Sequence, residues 1–183
     1  MLLEKENACL LLVDVQEKLT PHVNQADSLV SRCGWLMRLA AELQVPLLAC
    51  EQYPQGLGST VGGLQAHLSA PCISKVDFSG YREPKFAARW QALQKKQVVI
   101  IGIETHVCVL QTAFDLHHDG IAVFVVADAV SSRHEIDHQV ALQRMQHAGI
   151  HVVTAEMVFF EWVRRAGTAS FKALSDAFLK EGR

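Results

Sequence analysis

No apolar run in the 183-residue sequence approaches the roughly 20 residues that a bilayer-spanning helix needs, so a helical membrane span is not expected. Met1 to Asn7 carries charges of both signs and lacks the basic start, apolar stretch and small-residue cleavage site of a secretory signal. Charge of one sign is not in excess either. Seventeen Lys and Arg stand against nineteen Asp and Glu, with no like-charge run longer than three. That leaves no electrostatic footprint for nucleic acid or an anionic membrane. The five cysteines, Cys9, Cys33, Cys50, Cys72 and Cys108, are odd in number, widely spaced and without a C-x-x-C pair. They suggest neither a disulfide framework nor a zinc knuckle, and they fit a reducing compartment. Internal repeats, low-complexity tracts and linkers are also missing. These absences predict a soluble, cytoplasmic, single-domain protein over residues 1–183, with a small molecule as its partner.

Half of the residues are apolar, enough for one sizeable core. Ala8 to Val13 is a continuous apolar run ending on Asp14, as expected of a strand covered on both faces in a parallel sheet. From Ala26 to Leu43 the apolar residues Leu29, Val30, Cys33, Leu36, Met37, Ala40 and Leu43 recur every three or four positions, which predicts a helix. Pro46 opens the next strand, where its missing N–H is tolerated. The alternation continues with a short strand at Cys72 to Lys75, a helix from Pro84, a buried strand over Gln97 to Gly102 and a helix from Thr105 to His118. Strands at Ile121 to Asp128 and Ile150 to Thr154 flank a helix from Arg133 to Ala148, and Glu156 to Leu179 reads as helical. Ser132-x-x-Glu135 is a capping-box pattern, and Gly120 and Gly149 are placed as helix ends.

Six strands separated by helices predict an α/β fold of three layers, α/β/α, with a six-stranded, mostly parallel, Rossmann-like sheet. Ligands of such sheets bind outside the carboxyl ends of the strands, near the switch in strand order. Asp14, Lys75 and the segment Ile103 to Cys108 all follow predicted strand ends. A buried cysteine is ordinarily a packing residue. Cys108, however, lies in the first turn of a helix after a buried strand, where the dipole and free N–H groups favour a thiolate.

Five ordered blocks, LLVDVQEKL, EQYPQGLGSTV, KVDFS, GIETHVCVLQTAFDL and VVADAVSSR, resemble the isochorismatase-like cysteine hydrolase superfamily, and within it the isochorismatase domain-containing proteins. The resemblance runs from about Leu10 to Thr154 and implies a six-stranded parallel sheet flanked by helices. It places the family's catalytic aspartate on Asp14, its lysine on Lys75 and its nucleophile on Cys108. It also implies an oxyanion hole from the backbone N–H groups of Glu104 and Cys108, with a cis peptide between Ile103 and Glu104. A carboxylate can take the thiol proton and later activate water, and a neighbouring lysine keeps that carboxylate ionised. The implied reaction is attack by Cys108 on a small amide or related acyl group, loss of an amine, and hydrolysis of the thioester. Isochorismatases proper lack the cysteine, so Cys108 favours acyl transfer. The resemblance also implies a homo-oligomer and no cofactor.

Other signals carry less. His134-Glu135-Ile136-Asp137-His138 matches H-E-x-x-H, but it opens a helix in an α/β context without a third ligand at any recognisable spacing, and is read as a solvated helix start. Metal-dependent nicotinamidases of the superfamily carry an aspartate and two histidines after the second strand. The loop Glu51 to Gly63 has no histidine, so no metal is expected. That glycine-containing loop is expected to be a flexible pocket wall, with Tyr53 a candidate substrate contact; Phe78 and Gln16 are further pocket candidates. A nucleotide-binding dehydrogenase would need a glycine fingerprint after the first strand, where Asp14-Val15-Gln16 stands instead. The remaining alternative to an enzyme is a binding or scaffold protein that keeps the fold with little turnover.

Overall fold

The computed structural model describes residues 1–180. Six parallel strands form one sheet in the order β3-β2-β1-β4-β5-β6. They are β1 (Ala8–Val13), β2 (Leu47–Gln52), β3 (Ile73–Lys75), β4 (Gln97–Ile103), β5 (Ala122–Ser131) and β6 (His151–Val153). The principal helices are α1 (Ala26–Glu42), α2 (Pro84–Leu93), α3 (Leu110–His118), α4 (Glu135–His147), α5 (Ala155–Val163) and α6 (Ala169–Phe178).

Alternation along the central strands separates two cores. Leu10, Leu12, Val99 and Ile101 face the side covered by α1, α5 and α6, where Leu36, Phe159, Trp162 and Phe178 pack. Cys9, Leu11, Val98 and Ile100 face the other side, with Phe86 and Trp90 of α2, Leu116 of α3 and Met145 of α4. Every residue of β1 and β4 is therefore buried, which is why both read as unbroken apolar runs. The chain builds outward from β1 to β3, then returns to the other side of β1 for β4. The switch in strand order thus lies between β1 and β4, where Val13 pairs with Gly102.

Three expectations change. β5 does not stop at Asp128: its register with β4 slips between Ile100 and Gly102, the strand bulges, and pairing resumes at Val130 and Ser131. Asp128 sits in the bulge, accepting from Ala155 N at 2.8 Å and pairing with Arg32 at 3.3 Å. The capping box at Ser132 does not form, because His134 is the N-cap of α4 and Ser132 Oγ lies 3.0 Å from His106 Nδ1. The carboxyl-terminal helical stretch is two helices, since Gly167 takes φ +76° and Thr168 starts α6 by accepting from Phe171 N at 3.0 Å. Gly120 and Gly149 do close helices, at φ +79° and +91°.

Candidate active site

Asp14 leaves the end of β1 at φ +55°, a left-handed conformation that aspartate tolerates better than most residues. Its N–H donates to Cys50 O at 3.1 Å. Lys75, the last residue of β3, brings Nζ to 2.7 Å from Asp14 Oδ2, with both side chains shut off from solvent. The same ammonium donates to Gln52 Oε1 at 2.5 Å and to Phe78 O at 3.0 Å. The ammonium thus has one ion-pair partner and two close hydrogen-bond acceptors, and is held as a fixed charge.

Burial raises the Asp14 pKa, against the opposing pull of Lys75. For Lys75, burial works downward, but the Asp14 charge, joined by Cys50 and Cys108 once these ionise, outweighs it and the net shift is upward. We read the pair as ionised at neutral pH, with a carboxylate more basic than usual. The thiols of Cys108 and Cys50 stabilise that carboxylate further, although neither Asp14 oxygen receives a hydrogen bond of regular geometry.

Cys108 approaches from β4. Gly102, at φ +126°, is required where β1 and β4 meet, since a Cβ there would lie 2.1 Å from Val13 O. The next peptide, Ile103 to Glu104, is cis. Thr105–Val109 then makes one wide π-type turn in which Val109 N donates to Glu104 O at 3.2 Å and Leu110 N reaches Thr105 O. Cys108 Sγ lies 3.9 Å from Gln52 Oε1, and the residue is 6% exposed. The expected thiolate is corrected here. Burial, reinforced by the Asp14 charge and only partly offset by Lys75, pushes the thiol up to about 12, so the resting group is protonated. Desolvation outweighs what the helix start supplies.

Cys108 and Gln52 line a cavity of about 380 Å³ at the carboxyl ends of the strands, walled by Leu19, Leu57, Phe78 and Val107. Glu104 and Arg133 close one side, with Arg133 Nε 2.8 Å from Glu104 Oε1 and Arg133 N donating to Oε2 at 3.2 Å. A larger groove of about 890 Å³ lies between α1 and α6, well away from these groups, and holds no nucleophile.

Residues 8–157 match the isochorismatase domain family. The chain is 40% identical to isochorismatase domain-containing protein 2A of Mus musculus, covering 92% of this chain and 81% of that protein. The chain belongs to the isochorismatase family. Among solved structures, the MAR1 ribonuclease of Caenorhabditis elegans superposes with a TM-score of 0.92 at 32% identity, over 100% of this chain and 95% of that one. The YcaC gene product of Escherichia coli, an octameric hydrolase of unknown specificity, gives 0.87 at 30% identity, over 98% and 91%. The fold of this chain is thus the α/β fold of isochorismatase-type hydrolases.

Within this isochorismatase-family site, Asp14, Lys75 and Cys108 converge although 61 and 33 positions separate them in sequence. Phe78 lines the cavity, 52% exposed. Gln16 and Tyr53 do not. Gln16 is fully buried and spent on backbone: its Nε2 donates to Gln52 O at 2.9 Å and Gly58 O at 2.7 Å, and its Oε1 accepts from Gln52 N at 2.7 Å. Tyr53 starts the short turn Pro54–Leu57 and is exposed outside the cavity lining. The loop expected to be flexible is stitched down, with Glu17 N donating to Ser59 O, Val61 N to Val15 O and Thr60 Oγ1 to Glu51 Oε1. Of the H-E-x-x-H residues, His134 is exposed and His138 Nδ1 lies 3.0 Å from Thr105 Oγ1. Among the described residues no cluster of three or more His, Cys, Asp or Glu is arranged to hold a metal ion.

Gln52 and Arg133 were not singled out by sequence. Both stood inside recognised blocks, EQYPQGLGSTV and VVADAVSSR, at strand-end positions where side chains meet the site. Position after a strand was the available signal.

Proposed function

We propose that the protein is a cysteine-dependent hydrolase of small amides or related acyl compounds, working through a thioester on Cys108. The observation that carries this reading is the buried Asp14–Lys75 ion pair beside the Cys108 thiol, which itself lines a cavity at the carboxyl ends of the strands.

In this mechanism the carboxylate of Asp14, made more basic by burial, accepts the thiol proton as sulfur bonds to the substrate carbonyl carbon. The thiol is held near 12 at rest, so deprotonation accompanies attack and does not precede it. The backbone N–H groups of Glu104 and Cys108 receive the oxyanion. Asp14 returns the proton to the departing nitrogen as the C–N bond breaks, leaving the thioester. Water then attacks, giving one proton to Asp14, which passes it to sulfur as the C–S bond breaks and the acid leaves. Lys75, held by Gln52 and Phe78, stabilises Asp14 electrostatically and transfers no proton itself.

The protonated resting thiol also favours a second reading, a binding protein of low turnover. One experiment separates the two. The protein is incubated with a panel of small amides, esters and N-carbamoyl compounds, and covalent adducts are sought by intact mass. Acyl adducts lost in Cys108→Ala support the enzyme; a panel without adduct or product supports the binding protein.

The same proposal includes homo-oligomeric assembly, supported by the octameric Escherichia coli relative and by Met157 and Phe160 exposed on α5. It also includes a cytoplasmic location. No helix among the described residues is long and apolar enough to cross a membrane. The ribonuclease activity named for the nematode relative is not extended to this chain, because its balance of 17 basic and 19 acidic residues offers a polyanion no attraction.

A further inference from the structure

We propose that Gln52 is a positioning residue that keeps the nucleophile latent: its Oε1 takes the Cys108 S–H in the resting site, so that Asp14 receives the thiol proton only as attack begins. This rests on the reading of Cys108 as nucleophile.

The orientation of the Gln52 amide is fixed by its neighbours. Nε2 donates to Val76 O at 2.7 Å, and Oε1 accepts from Lys75 Nζ at 2.5 Å. A carbonyl can only accept and an ammonium can only donate, so the amide cannot be turned over. Holding the strand ends together does not need that oxygen. The Gln52 N–H donates to Gln16 Oε1 at 2.7 Å and the Gln52 carbonyl accepts from Gln16 Nε2 at 2.9 Å, which joins β1 to β2 through other atoms. Oε1 is thus left turned inward on two groups of the site, the Lys75 ammonium and the Cys108 thiol, whose Sγ lies 3.9 Å away.

Among the described residues this is the only hydrogen bond of regular geometry that the Cys108 side chain makes, and neither Asp14 oxygen receives one. The charged and titratable groups around the sulfur come from several elements: Asp14 after β1, Cys50 on β2, Lys75 on β3, and Glu104, Arg133 and His22 around the cavity. Asp14 favours the thiol and Lys75 favours the thiolate. Gln52 Oε1 sides with the thiol in two ways. It accepts the S–H, and it engages a Lys75 proton that a thiolate would otherwise draw. Attack then starts with rotation of the S–H from Gln52 to Asp14, which takes the proton as sulfur bonds to the carbonyl carbon.

The test compares intact wild type, Gln52→Met and Gln52→Glu. Alkylation of Cys108 by iodoacetamide is followed by mass spectrometry near neutral pH. Cys33, fully buried in the opposite core, is followed in the same samples and reports opening of the fold. Relative to Cys33, Gln52→Met should speed alkylation of Cys108 by about three- to tenfold, the worth of one hydrogen bond. Gln52→Glu sets a full negative charge beside the sulfur and should slow it by about tenfold. A merely loosened strand end would speed both variants, so the opposite signs separate positioning from a structural role. Rates that move in the same direction, or not at all, overturn the proposal. Should Gln52→Met fail to fold, Gln52→Glu decides alone: slower alkylation supports the proposal, and an unchanged or faster rate overturns it.

The nucleophile is judged separately. Product release from the amide panel that persists in Cys108→Ala overturns Cys108 as nucleophile, whereas the alkylation rates report whether Gln52 restrains its thiol.

Discussion

Lys75 Nζ lies 2.7 Å from Asp14 Oδ2, with 0% and 1% of their side chains exposed. Two residues from different strand ends thus form a charge pair out of reach of water. Such a pair contributes little net stability compared with apolar replacements, yet each partner makes the other tolerable.

Removing one partner should therefore be costly. Lys75→Met strands the Asp14 carboxylate and is expected to lower stability by about 3 to 5 kcal/mol, read from urea unfolding. Adding Asp14→Asn to that variant should restore much of the loss while adduct formation stays abolished. A Lys75→Met protein as stable as wild type would mean the pair is not ionised.

The buried thiols predict a slope in stability at alkaline pH. Cys108 and Cys9 are each raised from 9.0 to about 12 by burial, so the folded protein keeps protons that the unfolded chain releases. Their contribution is full below about pH 9 and is lost as pH rises through about 12. Urea unfolding from about pH 8 to 11 should show falling stability, less steep in Cys108→Ser. Iodoacetamide should alkylate folded Cys108 on the order of a hundredfold or more slowly at about pH 8 than an ordinary thiol, with the rate still climbing above pH 9.

Gln16 separates a binding role from a holding role. Its side chain makes three hydrogen bonds to the backbone of Gln52 and Gly58, tying the end of β1 to the end of β2 and to the loop beyond. Gln16→Leu leaves those backbone groups unmatched and should cost about 2 to 4 kcal/mol. Its effect on hydrolysis should follow the lost fold and the displacement of Gln52. If Gln16→Leu keeps full stability while the apparent KM rises, the residue contacts substrate after all.

The parts legible in the sequence were those with one dominant cause. β1 and β4 are covered on both faces, so their residues are uniformly apolar and their ends point to the switch in strand order. Asp14, Lys75 and Cys108 stand next to such ends, within ordered family blocks. What escaped had competing causes. Asp128 looked like a strand end, as Asp14 is, but a bulge carries β5 past it and the carboxylate serves Ala155 and Arg32. Ser132 had the composition of a cap, yet it lies against His106. Gln52 is an ordinary polar residue until the fold sets Lys75 and Cys108 on either side of its Oε1. The thiol's upward shift depends on burial by elements distant in sequence, whereas a favourable helix start is local and visible.

Gly102 joins the fold to the site most directly. It combines φ +126°, a conformation side chains rarely adopt, with a Cβ position 2.1 Å from Val13 O and 2.8 Å from Val13 C and N. Those contacts are backbone atoms of the neighbouring central strand, so relief requires β1 and β4 to part. Parting them would move Asp14, the residue after Val13, relative to Cys108, which follows β4. Gly102→Ala should therefore destabilise the protein by about 4 kcal/mol or more, measured by urea unfolding. Any folded fraction should also form acyl adducts on Cys108 more slowly than wild type. A Gly102→Ala protein with normal stability and normal adduct formation would show that the β1–β4 junction yields without disturbing the site.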